Sequence, residues 1–121
     1  MALTPEAFVD GLLRAAPELR DLLDDHLAAY DELLLHVLMG DLLRSCVAAF
    51  HAGEPERAAR VLAFLDRALR ESDEAVRNAV ALSFVAHAGH GPGETEAFLR
   101  TWPAGLAAER ARQERWSEGG P

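Results

Sequence analysis

The chain has 121 residues, half of them apolar, with a formal net charge of −8 and one cysteine. That length sets the expectation of one domain that buries its own core without disulfides or metal. Leucine and alanine dominate and isoleucine is absent, which favours helix over sheet, and the acid excess argues against nucleic-acid and anionic-membrane partners.

The charge is unevenly placed. Residues 1–56 hold eleven acids and three arginines, whereas 57–121 hold nine of each. An acidic first half attracts a basic partner. All twelve basic residues are arginines, and the Ala/Arg/Leu/Gly bias points to a GC-rich, bacterial genome. The lone Cys46 suits a reducing cytoplasm. The first residues show no signal-peptide pattern, and no apolar segment is long and charge-free enough to span a bilayer.

Taken in order, Thr4-Pro5-Glu6 reads as a helix start, with Thr4 as cap and Pro5 at the first position. Phe8, Val9, Leu12 and Leu13 follow at helical spacing, and Pro17 ends the helix near Ala16. A second helix opens at Pro17-Glu18. Its expected apolar stripe is Leu19, Leu22, Leu23 and Leu27, with Glu18, Asp21, Asp24 and Asp25 outside. The sequence allows either one bent helix over 17–52 or a break at Tyr30-Asp31, with Asp31 capping the next helix.

That next helix, about 31–52, is the expected centre of the fold. Leu34, Leu35, Leu38, Met39, Leu42, Leu43, Cys46, Val47, Ala49 and Phe50 cover well over half of its circumference at about 100° per residue. Asp41, Arg44, Ser45 and Ala48 form a narrow outer stripe. Gly40, mid-helix, suggests close approach of a neighbour. His36 falls on the apolar arc as a core-edge residue, bonded to a carbonyl or to Glu32. His51, Gly53 and Pro55 mark the end.

Glu56 to Glu71 read as an amphipathic helix, with Ala58, Val61, Leu62, Leu65, Ala68 and Leu69 inward and Arg60, Arg67, Arg70 and Asp66 outward. Ser72, as cap, opens a mostly apolar helix over 75–88. Ser83 and His87, four residues apart, share its core-facing side, so His36, Ser83 and His87 are the candidates for a small polar pocket. Gly89 to Gly93 is a loose link. A final helical part begins near Glu94, breaks or kinks at Trp102-Pro103 and resumes to Trp116 with Leu106 and Ala107 as anchors. Residues 117–121 read as a disordered tail. The expected fold is all-α, a single compact domain (1–116) of five to six helices around the central one. It is either an antiparallel bundle or a short stack of helical pairs of the HEAT or TPR kind.

Tyr30-Asp-Glu-Leu-Leu-Leu-His36, then Met39-Gly-Asp41-Leu-Leu-Arg44, then Val76-Arg-Asn78 with Ser83-Phe84, resembles a family of small uncharacterised bacterial helical domains, over about Phe8 to Leu106. Leu35 stands where that resemblance would place a proline. The resemblance implies an all-helical fold and a bacterial cytoplasm, and carries no activity to transfer. By general analogy such small acidic chains are also like immunity proteins encoded beside toxins.

Three functions follow as expectations. The first is a non-enzymatic protein-binding module, most concretely an immunity- or antitoxin-like inhibitor. Its acidic contacts Asp21, Asp24, Asp25, Asp31 and Glu32 would meet a basic, toxin-like protein. The second is an enzymatic or ligand-binding pocket at His36, Ser83 and His87, although no Asp is placed to orient a histidine and no glycine-rich loop cradles an anion. The third is a homodimer or complex subunit using Trp102, Trp116 and the last helix. No metal and no cofactor are expected, because His87 and His90 lack paired ligand motifs.

Overall fold

Thr4 stands in extended conformation and its Oγ1 accepts from the Ala7 N–H at 3.2 Å, so α1 (Pro5–Ala15) starts where Thr-Pro-Glu places it. The computed structural model describes residues 3–119. A 3-10 turn (Pro17–Leu19) follows α1 and feeds α2 (Arg20–Tyr30). The chain then continues through α3 (Leu35–His51), α4 (Pro55–Glu71), α5 (Glu74–Ala79), α6 (Glu96–Leu99) and α7 (Ala104–Gly119). Among the described residues these seven helices exceed the expected five to six, because the break at Trp102-Pro103 separates α6 from α7.

The junction at Tyr30-Asp31 is a true break, and it reverses the role expected of Asp31. Asp31 is the left-handed residue (φ 59°) that ends α2, and its N–H bonds the Leu27 carbonyl. It does not cap the central helix, which begins only at Leu35, with Leu34 at the N-cap and no side-chain cap of its own. Asp tolerates this conformation better than most non-glycine residues. The far end of α3 follows expectation: Gly53 is left-handed (φ 81°) and the Glu54 N–H reaches the Ala49 carbonyl.

Burial along α3 follows the middle of the expected apolar arc, while Leu34, Leu35 and Phe50 at its ends are only half-buried. Leu38, Met39 and Leu42 are fully enclosed, and Leu43, Cys46 and Val47 are buried. Enclosing each of the larger side chains is worth about 1.5–3 kcal/mol over exposure. Yet α3 does not hold the centre alone. It packs on α4 and on the segment after α5, while α4 also receives α1 and α7. Both ends of the chain therefore close on α4, a bundle arrangement rather than a linear stack in which each pair meets only its neighbours.

Gly40 has a different reason from the one expected. A Cβ there would meet only the Arg44 guanidinium, at 3.5 Å. The close helix approach lies instead at Gly11, where a Cβ would stand 2.7 Å from the Phe64 ring. That ring packs 5.3 Å from Phe8 and locks α1 to α4.

Two further helix starts and one helix interior differ from the sequence reading. Asp73, not Ser72, caps α5, its Oδ1 accepting from the Val76 N–H at 3.1 Å. Ser72 is buried and sits in a short backbone bridge: Leu3 N–H to the Glu71 carbonyl, and Asp73 N–H to the Leu3 carbonyl. The expected helix over 75–88 widens at Val80–Val85 into a π-helical turn, where Ala86 N–H bonds the Ala81 carbonyl five residues back. Finally, Asp66 of α4 serves the start of α7, accepting from the Leu106 N–H at 2.8 Å.

Along α7, Leu106 is fully buried but Ala107 is exposed. Gln113 adds an anchor by donating to the Ala81 carbonyl. The helical backbone of α7 reaches Gly119, into the stretch expected as a tail, whose last residues, 120 and 121, lie outside the described residues. Trp102, expected at an interface, is buried against Phe84 and Phe98, whereas Trp116 is 61 % exposed. No helix among the described residues is long and apolar enough to cross a membrane.

Candidate functional site

The apolar stripe of α2 sets the site. Leu19, Leu22 and Leu23 continue at the seventh position with His26, so the imidazole turns inward and Leu27 turns out. His26 is 3 % exposed and Leu27 44 %. His26 Nε2 accepts from the Leu34 N–H at 3.0 Å. The preceding helix thus provides the acceptor that the start of α3 lacks. An accepting Nε2 assigns the ring proton to Nδ1. That Nδ1 is buried, has no hydrogen-bond partner among the described residues, and stands 4.0 Å from Asp41 Oδ2. A buried donor left open costs about 1–3 kcal/mol.

Beside His26, α2 and α3 leave an open cleft of about 650 Å³. Asp25 and Tyr30 line it from α2, and Asp41, Arg44 and Ser45 from α3. The Tyr30 ring lies 5.0 Å from the imidazole and is 46 % exposed. Asp41 pairs with Arg44, which lies one turn on and keeps 72 % of its side chain in solvent. The polar stripe read from the sequence, Asp41, Arg44 and Ser45, is one wall of this cleft.

Of the five expected contact acids, Asp25 lines the cleft. Asp21, Asp24, Asp25, Asp31 and Glu32 are all exposed. Asp21, Asp24, Asp25 and Asp31 follow helical spacing along α2 and its cap, giving one acidic stripe. None of the five pairs with an arginine among the described residues. The arginines of α4 behave otherwise. Arg60 pairs with Glu18 at 2.6 Å, Arg70 with Asp66 at 3.3 Å and Arg67 with Glu71 at 3.8 Å. The arginine stripe is laced to acids.

Of the three pocket residues, two meet. His36 Nδ1 and Ser83 Oγ share a hydrogen bond of 2.5 Å, joining the first turn of α3 to the π-helical turn. His36 is exposed rather than at the core edge, and its partner is Ser83 rather than a carbonyl or Glu32. Ser83 is half-buried, because the wider turn directs Val80, Phe84 and Val85 inward. His87 is exposed beyond that turn and makes no hydrogen bond with either among the described residues. A hydroxyl bonded to an imidazole is half of a nucleophile–base arrangement. No carboxylate among the described residues bonds the other nitrogen of His36, so nothing orients the ring for that work.

Cys46 lines a separate groove of about 300 Å³ with Leu19, Ala49 and Val61. Burial pushes its thiol up to about 12, which keeps it protonated and unreactive. Among the described residues no group of three or more His, Cys, Asp or Glu is arranged to hold a metal.

His26 is the residue that sequence reading missed. Its signal was present: positions 19, 22, 23 and 26 are the regular inward stripe, and a polar residue there marks a buried hydrogen bond. No curated protein and no solved structure matches the chain. One family does match over residues 9–117, nearly the whole length, and by that match the chain belongs to the family described as Domain of unknown function (DUF7674).

Proposed function

We propose that this chain is a non-enzymatic protein-binding module that docks a basic partner protein on the acidic face of α2. Its most concrete form is an inhibitor of the immunity or antitoxin kind, which covers a cationic cleft by presenting carboxylates in place of the natural anion. The observation that carries this reading is that Asp21, Asp24, Asp25, Asp31 and Glu32 are all exposed and that none of them forms an ion pair among the described residues. Like charges at i,i+4, such as Asp21 and Asp25, each cost a helix about 0.2–0.5 kcal/mol. A basic partner recovers that cost. We place the module in a bacterial cytoplasm, where a lone buried thiol stays reduced.

The test is differential capture from the native host at low salt. The wild-type chain should retain a basic protein that an Asp21→Arg, Asp24→Arg, Asp31→Arg variant loses, and salt should weaken that binding steeply. Identical capture by both chains, or binding indifferent to salt, refutes the reading.

The His36–Ser83 hydrogen bond favours a second reading, an enzymatic or ligand-binding pocket. It requires an acyl or phosphonate probe to label Ser83 and His36→Ala to abolish the labelling. An unlabelled Ser83 returns the pair to a structural role, tying α3 to the π-helical turn.

A further inference from the structure

We infer that the cleft between α2 and α3 is the pocket in which the acidic face takes one arginine side chain of its basic partner, an inference that rests on the partner-binding reading above. Asp25 and Asp41 line the cleft from different helices, and a planar guanidinium can engage two carboxylates at once. Asp41 already holds such a group. Arg44 folds back over Gly40, whose missing side chain leaves its guanidinium 3.5 Å from where a Cβ would stand, and pairs with Asp41. That pair is largely in solvent, with Arg44 72 % exposed, so an incoming arginine displaces it at little cost. Tyr30 adds an exposed ring at the rim on which a guanidinium stacks.

His26 is the independent sign. Its buried Nδ1–H has no hydrogen-bond partner among the described residues and stands 4.0 Å from Asp41 Oδ2, beyond hydrogen-bond reach. Displacing Arg44 frees the Asp41 carboxylate to turn toward the imidazole. The ligand then completes the bond that the chain alone leaves open. An open cleft suits a side chain delivered on a protein surface better than a free small molecule, which an enclosed pocket holds.

The test needs no partner. N-acetyl-L-argininamide is titrated into the full chain while NMR follows the Leu34 amide, the His26 ring and the Tyr30 ring. Saturable shifts are expected at all three, and none with the citrulline counterpart, which has the same shape without the charge. Asp41→Asn should weaken binding about ten-fold or more, the loss of a charge-assisted hydrogen bond. Arg44→Gln should tighten it about three-fold, the loss of a surface ion pair that competes. Equal binding of the citrulline compound, no effect of Asp41→Asn, or weaker binding in Arg44→Gln overturns the inference. Shifts confined to the Asp21 and Asp24 amides also overturn it, while leaving the acidic face as a docking surface. If the cleft titrates as stated but the charge-reversed chain captures the same proteins as wild type, the docking face fails and the cation pocket stands.

Discussion

The same substitution at two helical glycines should act in opposite directions. In each helix interior, Ala gains about 1 kcal/mol over Gly from backbone propensity. At Gly40 the new methyl meets only the Arg44 guanidinium at 3.5 Å, an ordinary contact. Gly40→Ala should therefore stabilise the fold by about 0.5–1 kcal/mol. At Gly11 the methyl would stand 2.7 and 2.9 Å from two carbons of the Phe64 ring. That ring is 6 % exposed and packed against Phe8, so it cannot swing into free space. Forcing extra volume into such a contact costs about 1–3 kcal/mol, which outweighs the propensity gain. Gly11→Ala should destabilise by about 1 kcal/mol, leaving roughly 2 kcal/mol between the two variants. Urea denaturation followed by circular dichroism reads both. In a Phe64→Leu background, which removes the ring edge, Gly11→Ala should lose its penalty, with a coupling energy of about 1 kcal/mol or more. Equal stabilisation by both glycine substitutions, or no coupling to Phe64, refutes the assignment of the close approach to α1 and α4.

Asp66→Ala should cost about 1 kcal/mol in urea denaturation, because it removes the acceptor for the Leu106 N–H at the start of α7. An unchanged midpoint would show that α7 starts without it. Hydrogen bonds from Arg112 hold the Glu109 carboxyl below its ordinary value, with Gln113 adding to them against the opposing effect of burial. A folded value below the unfolded one contributes stability that is complete above the unfolded value near 4.5 and is lost as pH falls through the folded one. Glu109→Gln should flatten that acid limb by lowering stability at neutral pH, while leaving stability below the folded value little changed. Cys46, with its thiol raised to about 12 by burial, should react with iodoacetamide at pH 8 only as fast as the chain unfolds. Labelling at the rate of a free thiol contradicts its place in the core.

The helical skeleton could be read from local signals, each short in range and strong in physics. Thr4-Pro5 starts a helix, Gly53 followed by Pro55 ends one, and the inward residues of 56–71 recur at the helical period. What sequence reading lost lies between elements. Asp31 and Ser72 are good cap residues by type, yet tertiary placement gave them other tasks: ending α2 in one case and bridging to Leu3 in the other. Asp66 caps a helix that starts 38 residues further on at Ala104, a relation that no local window carries. Gly11 and Gly40 look alike in sequence, and only the position of Phe64 tells them apart. The site divides in the same way. The exposed acids of α2 were legible because a solvated face needs no partner to be recognised. The cleft was not, because it depends on His26 turning in beneath Tyr30 and on Arg44 folding back over Gly40.

Charge and packing are distributed together in this chain. α3 and α4, with α1 and α7 closed upon them, carry most of the buried apolar side chains. There the charges are settled internally, with Arg60 on Glu18, Arg70 on Asp66 and Arg112 on Glu109. α2 contributes Leu23 and His26 to the interior, and its acids Asp21, Asp24 and Asp25 form no ion pair among the described residues. Arg20 stands one turn before Asp24 and forms no ion pair with it among the described residues. Arg44 shows that the chain can form such a pair at its surface, and it does so inside the cleft, where the pair is also most easily exchanged. A carboxylate row left bare beside a carboxylate that carries a removable arginine is better explained by what it meets outside the chain than by anything within it.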